Sequence, residues 1–126
     1  MSLSEKDAQN LSAYLANITN TTDLEALALV TKEGLRLAFS AVEGFSINPD
    51  NLSAMGAVLL QSGFDSVEKI GFNKLLEVVL RGKNSFMVIS SAGRFFLIGA
   101  SRKIADLGKI VTVFRFYAQK IGESYP

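Results

Sequence analysis

Residues 75–100, LLEVVLRGKNSFMVISSAGRFFLIGA, decide the fold. They hold three short apolar runs, Leu75–Leu80, Phe86–Ser90 and Phe95–Ala100, parted by Arg81-Gly82-Lys83-Asn84 and by Ala92-Gly93. Runs of this length, rich in branched and aromatic side chains and closed by glycine-bearing turns, predict strands, and such short breaks make neighbouring strands antiparallel. The stretch reads as a three-stranded meander.

Upstream of the meander, Asn48-Pro49 opens a helix over about Pro49–Val67, with asparagine as the cap and proline at the first helical position. Its residues Leu52, Met55, Gly56, Ala57, Leu59, Leu60, Gly63 and Phe64 sweep an apolar arc. That arc spans roughly 200°, whereas packing on one sheet needs little over 100°. The helix is therefore expected to be buried on two sides. Further back, Leu24–Thr31 and Leu35–Phe39 flank Lys32-Glu33-Gly34 and predict a hairpin with Leu35, Leu37 and Phe39 on one face.

Helices are predicted at both ends of the chain. Ser4 and Asp7 have the spacing of a capping box, and Leu11, Tyr14, Leu15 and Ile18 follow at helical intervals, giving a helix over Ser4–Ile18 and a polar loop at Thr19–Asp23. At the other end, Lys103–Gly122 carries Leu107, Ile110, Val111, Phe114, Tyr117, Ala118 and Ile121 as one stripe, with Arg115, Gln119 and Lys120 opposite. The order is α-β-β-α-β-β-β-α, with short connections and no repeat, so 1–126 is expected to form a single α+β domain around one antiparallel sheet.

Composition narrows the function. The chain has no histidine and no cysteine. The usual general base, the thiolate nucleophile, the disulfide and the commonest metal ligands are thereby missing, and neither an enzyme nor a cofactor is expected. The twelve acids are scattered, and the neighbours Asp65 and Glu68 read as solvated helix positions. No glycine-rich phosphate loop is present. Thirteen basic residues against twelve acidic ones leave a net charge of +1, which offers no global attraction to nucleic acid or an anionic membrane. Arg81, Lys83, Arg102 and Lys103 would share one end of the meander as a basic rim, with Arg94 at the other; solubilising turn residues are the simpler reading. The phenylalanines, Phe39, Phe86, Phe95, Phe96, Phe114 and Phe116 among them, are expected in the core. No run approaches the roughly 18 apolar residues of a membrane span, and Met1–Asp7 leads into no apolar segment, so a cytoplasmic location is expected.

Taken in order, these segments resemble the roadblock/dynein light chain superfamily, including its bacterial and archaeal MglB-like proteins, from about Leu11 to Gly122. LVTKEGLRLA at 29–38 is similar to that family's first hairpin, 52–63 to its alanine- and leucine-rich central helix, and Asp106-Leu107-Gly108 to the Asn-Leu-Gly step opening its last helix. The resemblance implies a five-stranded antiparallel sheet with the central helix on one face and the terminal helices on the other. It implies homodimers, or heterodimers with another roadblock chain, in which the first meander strand pairs with its mate and the central helices lie antiparallel. It also implies a platform for a small Ras-like GTPase.

The residues agree independently, because the wide apolar arc needs a second partner and Leu75–Leu80 would be an aggregation hazard as an open edge. The expected dimer interface is Leu52, Met55, Leu59, Leu75, Glu77, Val78 and Val79, with Glu77 near the two-fold axis and Glu77→Lys or Val78→Pro expected to monomerise or precipitate the protein. Asn51, Ser62 and Asp65 are the expected partner-binding positions on the central helix. A small-molecule sensor of the PAS or GAF kind shares the sheet-and-helix plan and would need a roomy pocket between sheet and helix. Longin-like and profilin-like modules are near neighbours, and the leading helix favours the roadblock reading.

Overall fold

The computed structural model describes residues 3–103 and 106–126. Helix α1 spans Glu5–Thr21, strands β1 and β2 span Ala26–Thr31 and Arg36–Ala41, and helix α2 spans Pro49–Lys69. The meander is β3 (Glu77–Arg81), β4 (Phe86–Ala92) and β5 (Phe95–Ser101), and helix α3 spans Leu107–Ser124. Each helix begins where a side chain caps free backbone donors. Ser4 and Asp7 exchange two 3.0 Å bonds as a capping box, Asn48 Oδ1 accepts from the amides of Asp50 and Asn51, and Asp106 Oδ1 accepts from that of Lys109.

Several boundaries differ from the sequence expectation for local reasons. α1 runs one turn past Ile18 because the hydroxyls of Thr19, Thr21 and Thr22 bond back to the carbonyls of Leu15, Asn17 and Ile18, so polar residues read as a loop extend the helix. The expected start of the last helix at Lys103 runs across Ile104 and Ala105, outside the described residues, and α3 begins after the Asp106 cap. β3 starts at Glu77, leaving Leu75 and Leu76 ahead of it. Leu35 precedes β2 and is exposed, so of the expected hairpin face only Phe39 is packed inward.

The sheet order is β2-β1-β5-β4-β3, antiparallel throughout. Alternation along the strands splits the core in two. Leu27, Leu29, Phe86, Val88, Phe95 and Leu97 meet α1 and α3 on one face; Ala26, Ala28, Val30, Ile89, Phe96 and Ile98 meet α2 on the other. Central β5 is buried at every position. Phe114 of α3 lies close against Gly99, where an added Cβ would come within 2.6 Å of its ring. Phe116, expected in the core, points to solvent because it falls on the outer side of α3. The chain closes on itself at Tyr125, whose hydroxyl donates to Asp7 Oδ1 at 2.7 Å and whose carbonyl accepts from the Arg94 amide at 2.9 Å. That hydroxyl, with the Ser4 contacts, holds the Asp7 carboxyl below its ordinary pKa. Among the described residues no helix is long and apolar enough to cross a membrane.

Candidate functional site

The apolar arc of α2 divides into two unlike faces. Leu52, Gly56, Ala57 and Leu60 lie against the sheet, with Ser53 beside them satisfying its hydroxyl on the Pro49 carbonyl at 2.7 Å. Met55 and Val58, 54% and 64% exposed, stand on the outward face with Asn51, Ser62 and Asp65. Leu52, expected at the dimer interface, is only 2% exposed and is already spent on the protomer's own core. Leu59 is half-buried at the margin. Val58 is absent from the expected interface residues, although its spacing of three from Met55 places it on the same face.

The flanks of α2 fix its orientation over the sheet. Gly63 faces β3 so closely that a Cβ there would lie 2.8 Å from Leu75 Cδ2 and 3.1 Å from Val78 Cγ2, whereas Ala54 and Ala57 adjoin Gly34 in the β1–β2 turn. On the helical wheel Met55 and Leu59 therefore incline toward β3, and Val58 and Asp65 incline away from it. The expected partner-binding positions thus share the outward face with Met55, Asp65 on the side away from β3 and Asn51 and Ser62 between the two.

β3 is an open edge: among the described residues no strand lies beyond it. Glu77, Val79 and Arg81 project to the α3 face, and Val78 and Leu80 to the α2 face, as their partners Ser90, Val88, Phe86, Ile89 and Met87 dictate. Val79 and Leu80 remain 38% and 41% exposed on opposite faces, and Leu75 and Val78 are half-buried under α2. The Leu76 carbonyl accepts from the Ser91 amide and the Gly82 amide donates to Ser85, so even-numbered positions bond inward to β4. The outward backbone groups consequently belong to Glu77, Val79 and Arg81. Proline at Val78 would therefore break β3–β4 pairing first, and Val79 is the position whose donor faces out.

Glu77 is tied to α3, since Arg115 Nε donates to its Oε1 at 2.9 Å and the carboxylate raises the Arg115 pKa in return. Its Oε2 and the neighbouring Ser90 Oγ are buried without a hydrogen-bond partner. An open groove of about 530 Å³ runs here between the start of β3 and α3, lined by Leu75, Leu76, Glu77, Ser90, Arg115 and Gln119 among others.

The basic rim is smaller than its sequence implies. Arg81, Lys83 and Lys103 are exposed at one end of the meander, but Arg102 is committed. It clamps Glu25 through its amide at 2.7 Å and through Nη2 at 2.6 Å, and its guanidinium stacks 4.6 Å from the Phe45 ring centroid. The Arg102 side chain and amide hold the Glu25 carboxyl down to about 2. Arg94, at the other end, lies over the rings of Phe95 and Tyr125. Among the described residues no three acids gather as a metal site, and Asp65 and Glu68 are exposed.

The sequence matches the family model for the Roadblock/LC7 domain over residues 3–101. No curated protein matches it. Among solved structures, MglB with a tetrameric arrangement superposes with a TM-score of 0.87 at 17% identity, covering 98% of this chain and 93% of that one. The gliding protein mglB from Thermus thermophilus gives 0.86 at 17% identity with the same coverage. Profilin II from Acanthamoeba castellanii gives 0.62 at 18% identity, covering 90% and 96%.

Proposed function

The chain belongs to the Roadblock/LC7 domain family, and from that premise we propose that it acts as a non-catalytic dimeric adaptor in a GTPase pathway, pairing with a second roadblock chain and docking a small Ras-like GTPase. The observation that carries the dimer is the open β3 edge, along which Val79 and Leu80 remain exposed, with Met55 exposed on the side of α2 that inclines toward it. An unpaired strand edge with exposed apolar side chains is a template for pairing with another chain. A solved relative of the same fold, MglB, has a tetrameric arrangement, which supports association between roadblock chains.

The two sides of the α2 outward face take different partners. Met55 and Leu59, inclined toward β3, meet the mate's central helix when the β3 edges join. Asn51, Val58, Ser62 and Asp65 remain on the crown for the GTPase. The GTPase itself comes from the family resemblance, and the absence of catalysis from residue types, since a chain without histidine or cysteine lacks the side chains that most often act as base or nucleophile at neutral pH. The lack of cysteine also suits a reducing cytoplasm. Light scattering combined with pull-downs of GTP-loaded and GDP-loaded Ras-like GTPases encoded beside its gene tests the proposal. The expected result is a dimer mass with nucleotide-dependent capture; a monomer that captures neither form overturns it.

A further inference from the structure

We propose that β3 pairs with β3 of a second copy about a two-fold axis through Val79, so that the partner subunit's Arg81 reaches Glu77 on each side of the axis. This register deepens the dimer reading above and rests on it.

A two-fold axis perpendicular to the sheet keeps every side chain on its own face, so a β3 residue can oppose only a residue of like parity, and the axis must pass through a residue. Five positions are available. Through Glu77 or Arg81, a charge would face its own copy, a destabilising like-charge pair. Through Val78, the Glu77 carboxylate would face a valine, and Arg81 would face a leucine ahead of the strand. Through Leu80, Glu77 would face a lysine beyond the strand end, while Val79 would face an arginine and Val78 a glycine. Through Val79, acid faces base at both ends, valine faces valine at the centre, and Val78 faces leucine on the α2 face. Only this register pairs all five residues of β3 with chemically matched partners.

Three observations support it. Glu77 and Arg81 are the only charged residues of β3, stand at its two ends and project to the same face. Arg81 is exposed and has no ion pair among the described residues. The Glu77 carboxylate holds Arg115 on Oε1 alone, and Oε2 has acceptor capacity left over. That oxygen is turned into the protomer, so meeting the partner subunit's Arg81 takes a rotation of the carboxylate. Val79 also carries one of the outward backbone donors, so the axis residue exchanges two hydrogen bonds with its copy.

The chain has no cysteine, so a single introduced thiol reports the axis directly. With oxidised glutathione, Val79→Cys is expected to give a disulfide-linked dimer, since directly opposed residues lie about 5.5 Å apart between Cα atoms, within disulfide reach. Val78→Cys and Leu80→Cys place their thiols two residues out of step, roughly 8 Å apart, and are expected to stay unlinked. Independently, Arg81→Glu should raise the dimer dissociation constant about tenfold or more in dilution light scattering, with Arg81→Lys and Lys83→Glu staying near the unmodified value. Linkage at 78 or 80, or an effect of Lys83→Glu in place of Arg81→Glu, overturns this register while the dimer reading stands. An unmodified chain that is monomeric overturns the dimer reading itself.

Discussion

Glu25 is nearly buried at the start of β1, and its carboxylate takes the Ser101 hydroxyl and both the amide and the guanidinium of Arg102. The same guanidinium reaches the Gly44 carbonyl at 3.4 Å, so one ion pair fastens β1, β5 and the β2–α2 connection. Its folded pKa of about 2 lies below the ordinary 4.5, so between those values the unfolded chain binds the proton and the folded one does not. The contribution is thus complete above pH 4.5 and is lost as pH falls toward 2. Urea midpoints measured between about pH 6 and 3 should drop less steeply for Glu25→Gln than for the unmodified chain, because the variant lacks this titration. Equal slopes would mean that the clamp does not contribute. No reading of the sequence finds this contact, since Glu25 and Arg102 are 77 positions apart and meet only because β1 and β5 are neighbours. The contrast is Ser4 with Asp7, where both partners lie within one helical turn and the spacing alone identifies the bond.

At the level of elements, legibility follows how far the deciding contact lies along the chain. The α2 cap is readable from Asn48-Pro49 and the helical spacing, and so is the excess width of its apolar arc. The direction in which the helix rolls on the sheet is not, because that is set by Gly63 against β3 and Ala54 against the hairpin turn. For that reason the sequence pattern places Leu52 outward and passes over Val58. The two faces should separate cleanly on substitution. Leu60→Ala, which empties a fully buried position, should lower unfolding free energy by about 2–5 kcal/mol. Val58→Asp, on the exposed crown, should leave protomer stability within about 0.5 kcal/mol while reducing capture of the GTPase. Chemical denaturation of both variants beside the pull-down checks this, and a Val58→Asp protein that unfolds as readily as Leu60→Ala would refute the assignment of faces.

For the whole molecule, the two faces of the sheet are covered, and among the described residues no strand lies beyond either edge. The hairpin and the meander are readable because each joins strands through a few residues, but the β1–β5 pairing that unites them spans α2 and the meander, and only the family resemblance supplies it. The edges are also unlike. Pairing of β2 with β1 slips at Leu29/Val30, an irregularity that twists an edge away from flat pairing, whereas β3 pairs with β4 in unbroken register and offers Val79 and Leu80 to solvent. Association is therefore expected to close at β3 and not to propagate through β2. Joining two β3 edges would make one continuous sheet from two five-stranded ones and couple folding to concentration. The thermal midpoint of the unmodified chain should rise by roughly 3–6 °C for each tenfold increase in protein concentration. In Val79→Pro, which removes an outward donor while sparing the bonds to β4, the midpoint should become independent of concentration. Calorimetry across a hundredfold dilution series tests both proteins together. A concentration-independent midpoint in the unmodified chain would leave the exposed β3 edge without its proposed mate, and a Val79→Pro midpoint that still climbs with concentration would move the interface to the α2 face alone.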